Sequence, residues 1–324
     1  MAQGRQAAVV LGSGGARGYA HIGALQVISE RGFEVVSLAG TSMGALVGGV
    51  AAAGRLEAYT EWALSLTQRE VWRLLDLSLS TVGGAIRAER IIARVGEILD
   101  GVAIEDLPVP YTAVATDLNA RREVWFQHGP VVQAIRASIA IPGVITPISI
   151  NGRLLVDGGL INPVPIEPTA AANADLTIAV SLSGMRSPSG TSTPLRTSSE
   201  AVPLDDWTTR LRRSTTEVLE SERVRAIANR FSVGHRREGD DSSDPAPDPL
   251  LVTTHGDVGV VDLLTMSFDT MSALISRYRM ASNPPDVLVT VPSNAVRTLD
   301  FHRAAEMIEL GRQLTTEALD QAGY

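Results

Sequence analysis

The chain has 324 residues, 44% of them hydrophobic, enough apolar content to bury a large core without disulfide or metal staples. Its formal net charge of -8 and pI near 5.2 weigh against a nucleic-acid partner, which would call for a basic face to neutralise phosphates. All 28 basic residues are Arg and Cys is absent, so a Walker phosphate loop, a Schiff-base lysine, a Ser-Lys dyad, a thiolate nucleophile and Cys-ligated zinc are excluded.

The opening MAQGRQAAVVLGSGG has an apolar run of only about five residues, too short for a signal-peptide core, so a cytoplasmic protein is expected. Residues 7–11 read as a buried strand, 19–31 as a helix with Ile22, Leu25, Val27 and Ile28 apolar, and 35–39 as a second strand. A helix is expected after Ser42 as far as Gly54, and more helix between residues 56 and 99, a region suited to a mobile cover. Strands follow at 111–116 and 123–127, a helix at 130–138, a hairpin at 148–156 turning at Asn151-Gly152, and a strand at 176–182. This alternation predicts a layered α/β sheet.

Residues 183–206 and 235–249 read as flexible loops, flanking an amphipathic helical stretch at 207–231. A helix near 260–278, a strand at 286–291 and a closing helix at 301–322 complete the chain. The last strand is expected to rejoin the sheet. That gives one domain over 1–324, with core motifs at about 7–182 and a mainly helical C-terminal part. No apolar window reaches the roughly 20 residues of a membrane-spanning helix, while docking on a membrane surface stays open.

Three stretches carry chemistry. Gly40-Thr41-Ser42-Met43-Gly44, between a predicted strand and helix, is a nucleophile-elbow arrangement, with Ser42 at a helix N-terminus that favours developing negative charge. Alone, it reads better as a tight strand-helix joint with Ser42 as a cap. Residues 12–18, Gly-Ser-Gly-Gly-Ala-Arg-Gly, could form a backbone nest for a phosphate or an oxyanion. Arg17 stands where a dinucleotide fingerprint needs its third glycine, so an oxyanion hole completed by the Met43 N–H suits the stretch better. In Val156-Asp157-Gly158-Gly159, the aspartate is either a turn acceptor or a base for Ser42; the second role needs burial to raise its pKa. The five histidines, His21, His128, His235, His255 and His302, lack metal-binding spacing. His255 or His302 could formally complete an α/β-hydrolase triad, yet that fold places several strands before a nucleophile that here follows only about 40 residues.

The glycine loop, the early Gly-x-Ser-x-Gly, the Ala-Ser-x-Ala-x-Pro-Gly block at 137–147 and the Asp-Gly-Gly, in that order, resemble the patatin-like phospholipase family. The resemblance covers roughly residues 9–182, and is greatest to bacterial single-domain relatives of neuropathy-target-esterase-type lysophospholipases. It implies a three-layer α/β fold with a central, mostly parallel sheet flanked by helices. It implies Ser42 as nucleophile and Asp157 as its only partner, with an oxyanion hole at Gly14, Gly15 and Met43. Gly12, Arg17, Gly40, Gly44, Gly158 and Gly159 take supporting places, and Pro142 and Gly143 shape the wall near the site. Ser13 departs from the glycine common in the family's loop. The implied reaction is calcium-independent hydrolysis of fatty-acyl esters of phospholipids or lysophospholipids, with no metal or other cofactor; acyl transfer and non-catalytic lipid binding are the alternatives. Partners are then a lipid substrate and, peripherally, the inner membrane face. Trp62, Trp72, Leu74, Leu75, Leu77 and Leu79 are candidates for acyl-chain contact or interfacial docking, with core packing the plainer reading.

Overall fold

A computed structural model describes residues 5–75, 84–185 and 260–324. The helix expected at 207–231, the loop at 235–249, most of the loop at 183–206, and Leu77, Leu79, His235 and His255 lie outside the described residues.

β1 (Gln6–Leu11) is a run of Ala, Val and Leu, as suits a strand covered on both faces. Val9 and Leu11 join the main core, whereas Val10 packs with Val164, Ile166 and Ala179. A glycine loop and a 3-10 turn at Gly15–Tyr19 lead into α1 (Ala20–Glu30), so the predicted helix is preceded by a tighter turn. β2 (Glu34–Thr41) and α2 (Met43–Ala52) follow, and β2 pairs parallel with β1.

The helical expectation for residues 56–99 holds only in part. α3 (Leu56–Ser65), α4 (Gln68–Leu74) and α5 (Glu89–Leu99) form, and a capping box starts α4: the Thr67 hydroxyl accepts from the Glu70 N–H and the Glu70 carboxylate from the Thr67 N–H. Between α4 and α5 lies β3 (Gly84–Ile86), paired parallel with β6 (Gly143–Ile145) in a separate two-stranded sheet. Gly84, of poor helix propensity, opens this strand.

β4 (Tyr111–Asp117), β5 (Arg122–Phe126) and α6 (Val131–Ser138) fall where the sequence puts them. So do β7 (Ile148–Ile150) and β8 (Arg153–Asp157), joined by Asn151 and Gly152 with φ of 50° and 75°, as a primed two-residue turn requires. β9 (Leu176–Gly184) runs two residues into the stretch read as a loop, because Gly184 still pairs with Pro292. α7 (Val260–Ser282), β10 (Val287–Pro292) and α8 (Ala304–Gln321) complete the described chain.

The main sheet has eight strands in the order β10-β9-β1-β2-β4-β8-β7, with β5 also paired to β4. The first five run parallel, and β10 returns to the sheet beside β9 as expected. α1, α2 and α8 join the core cluster of Val9 and Leu11, while Met280 of α7 packs on the cluster of Val10. Helices therefore flank the sheet on both faces. One irregularity sets up the site. β2 pairs with the first part of β4, ending at Thr41 opposite Val114, and the antiparallel β8 pairs with the last part, ending at Asp157 opposite Ala115. Two strands thus arrive from opposite directions at neighbouring residues of β4, and the residues after each end meet.

Candidate active site

Ser42 leaves β2 in a conformation that few non-glycine residues adopt, with φ 58° and ψ -122°, before α2 begins at Met43. Small neighbours allow this sharp turn: a Cβ on Gly44 would lie 2.0 Å from the Leu11 carbonyl oxygen, and one on Gly40 2.3 Å from that of Gly44. The Ser42 N–H donates to the Ser138 hydroxyl at 2.8 Å, and that hydroxyl donates to the Val114 carbonyl at 2.6 Å. Ser138 is fully buried at the end of α6 and ties the elbow to β4. Ser138 falls within the 137–147 block, where the sequence alone gives it no task. Its signal was a hydroxyl among small apolar residues at a helix end.

Asp157 is fully buried at the end of β8. Its Oδ1 accepts the Gly159 N–H at 2.7 Å, while Oδ2 has no hydrogen-bond partner of good geometry among the described residues. Burial raises the carboxyl pKa from 3.8 to about 7. The nearby Ser42 hydroxyl and the Gly159 N–H pull it down, and Asp269 adds a smaller upward push. Gly158 leaves room for this packing, since a Cβ there would lie 2.2 Å from the Val114 carbonyl oxygen.

The glycine loop lies against the same corner. The N–H groups of Gly12, Ser13 and Ala16 bond to the carbonyls of Val180, Pro163 and Thr298. Among the described residues, no such backbone bond holds those of Gly14 and Gly15, and the Met43 N–H is a donor of the first turn of α2 without a partner inside the helix. Arg17, 3% exposed, donates from Nε to the Gly14 carbonyl at 3.0 Å, from Nη1 to that of Ser293 at 3.1 Å, and from Nη2 to Asp269 at 2.7 Å.

Among the described residues, no histidine completes a triad. His21 is buried with its pKa lowered to about 4, chiefly by burial, and its Nε2 bonds the Gly12 carbonyl at 2.8 Å. No histidine among the described residues hydrogen-bonds Ser42, and His302 lies within the 3-10 turn before α8.

A family model described as patatin-like phospholipase matches residues 9–170. An uncharacterized NTE family protein of Mycobacterium tuberculosis is 46% identical over 334 residues, covering 97% of this chain and 91% of that protein. The chain belongs to the patatin-like phospholipase family. Human patatin-like phospholipase domain-containing protein 6 is 34% identical over 55% of this chain and 13% of its own length. Lysophospholipase NTE1 of Cryptococcus neoformans var. neoformans is 32% identical over 51% of this chain and 10% of its own length. Family membership makes the chain a lipid ester hydrolase.

Ser42 lines a cavity of about 730 Å³ of atom-free space, open solvent at its mouth included, whose wall is almost wholly apolar. Met43 and Leu46 of α2 line it beside Ser42, with Tyr59 and Trp62 of α3. Trp62, Tyr59, Tyr19 and Phe301 form a run of aromatic contacts with centroids 5.6–6.5 Å apart. Of the residues singled out for acyl contact, Trp62, Leu74 and Leu75 line the cavity, whereas Trp72 is 53% exposed and does not. Thr298, Leu299 and Phe301 close the wall from beyond the stretch matched by the family model. No helix among the described residues is long and apolar enough to cross a membrane.

Proposed function

We propose that the protein is a serine acyl hydrolase that cleaves fatty-acyl esters of phospholipids or lysophospholipids through a Ser42–Asp157 dyad. The observation that carries this reading is the meeting of β2 and β8 on β4, which brings a serine on a strained elbow, lining an apolar cavity, beside a buried carboxylate. A carboxylate of ordinary pKa is a poor base toward a hydroxyl; one held near 7 is better matched to the task.

In the proposed sequence, Asp157 accepts the Ser42 proton as Oγ attacks the ester carbonyl. The N–H groups of Gly14, Gly15 and Met43 receive the oxyanion, and the acyl chain lies in the cavity. Collapse returns the proton from Asp157 to the departing alcohol and leaves an acyl-enzyme. Water, deprotonated by Asp157, then releases the fatty acid and restores both side chains. The known names of the relatives, phospholipase and lysophospholipase, support the substrate class. The site lies within residues 9–182 of a single domain, to which Thr298, Leu299 and Phe301 contribute a wall.

The test is turnover of a p-nitrophenyl acyl ester series and of lysophosphatidylcholine in calcium chelator, with product analysis. The parent is expected to release free fatty acid, and Ser42→Ala and Asp157→Asn to fall to background. An active Asp157→Asn, or acyl groups recovered on an added alcohol and not as acid, would overturn the hydrolytic dyad.

A further inference from the structure

Beyond residue 170, one helix reaches both halves of the site. α7 carries Asp269 and Ser272, three residues apart and so on one face. Asp269 accepts from Arg17 at 2.7 Å, and Arg17 holds the Gly14 carbonyl at 3.0 Å. Ser272, buried, donates to the Gly159 carbonyl at 2.8 Å, and the same Gly159 gives its N–H to Asp157. A single turn of α7 thus touches the glycine loop and the Asp157 turn, each through one intermediary.

We propose that Asp269 and Ser272 are positioning residues, and that α7 clamps the oxyanion loop and the base turn at the separation acyl transfer requires. Gly14 and Gly15 have no side chains to pack; the Arg17 side chain bonds the Gly14 carbonyl and is itself held from outside the loop by Asp269 of α7. Misplacement of the loop's N–H donors by about 1 Å can cost about a hundredfold in rate. Farther along, Arg279 of α7 pairs with Glu123 and Glu167, and these two carboxylates accept from the Asn162 side chain; the Asn162 carbonyl in turn accepts from Thr41, beside the nucleophile. The same helix is therefore anchored on the far side of the elbow.

The two contacts act on Asp157 with opposite sign. Asp269 is the charged neighbour that pushes its pKa up; the Ser42 hydroxyl and the Gly159 N–H, the latter steadied by Ser272, pull it down. Asp269→Asn removes a negative charge and frees the Arg17 cation, so it should move the acidic limb of kcat/KM to lower pH. Ser272→Val slackens the Gly159 bond and should move that limb to higher pH.

The inference rests on the Ser42–Asp157 reading. The experiment measures hydrolysis of p-nitrophenyl butyrate from about pH 5 to 9 by the full chain carrying Asp269→Asn, Ser272→Val, Ser272→Thr or Ser42→Ala. A loss of about tenfold or more in kcat is expected for Ser272→Val and Asp269→Asn, with KM little changed and the limbs moved in opposite directions. Ser272→Thr keeps the hydroxyl and should recover most of the rate lost in Ser272→Val. Parental kcat and limbs in the first two variants, or equal loss in Val and Thr at 272, overturn the clamp. If Ser272→Val does not fold, Ser272→Cys, of similar volume and weaker as a donor, takes its place in the same comparison. Activity surviving in Ser42→Ala would instead bring down the dyad reading beneath it.

Discussion

A buried carboxylate suited to act as a base should make the native state less stable wherever it is ionised. Holding Asp157 at about 7 instead of 3.8 disfavours its charged form by about 4 kcal/mol. The sign follows from linkage: the folded pKa lies above the unfolded one, so this stabilisation is fully present below about pH 4 and is lost as pH rises through about 7. Asp157→Asn fills the same space without a charge. Its stability relative to the parent should therefore rise by about 4 kcal/mol between pH 4 and pH 8, whatever the offset between the two at low pH. Reversible urea unfolding of both proteins across that range reads the difference directly. A gap that stays constant with pH would refute the buried, high-pKa carboxylate, and with it the basis for a base without histidine.

Further outcomes follow from the same geometry. The acidic limb of kcat/KM should lie near pH 7, and His21→Asn should not shift it, because a histidine near 4 is already neutral there; a limb near 4 would contradict this. Ser138→Ala strands the Ser42 N–H and the Val114 carbonyl and should cost about 2 kcal/mol in denaturant unfolding and slow acylation. Leu46→Trp, one turn along α2 from Ser42, should cut hydrolysis of a long-chain ester at least about tenfold more than that of an acetate, measured as the ratio of kcat/KM. Gly44→Ala places a Cβ 2.0 Å from a backbone oxygen, so soluble expression or melting temperature should fall sharply.

What could be read in the sequence was local. Alternating strands and helices, the Asn151-Gly152 turn, the glycines around Ser42 and the Asp-Gly-Gly at 157–159 each declare their conformation within a few residues. Contacts that depend on distant partners were not legible. Ser138 binds Ser42 across 96 positions and Ser272 binds Gly159 across 113, and nothing in the local sequence of either serine names its partner. β3 was missed because its three residues gain strand character only from β6, far along the chain. Leu75 and Trp72 look alike as apolar helical residues, yet one faces the cavity and the other solvent, a choice made by how α4 packs.

The central claim is that Ser42 is the nucleophile activated by Asp157. Labelling the full chain with a long-chain fluorophosphonate, followed by peptide mass spectrometry, tests it most directly. The adduct is expected on Ser42 alone, and its formation should be nearly abolished in Asp157→Asn and in Ser42→Ala. An adduct on another residue, or undiminished labelling of Ser42 in Asp157→Asn, would contradict it.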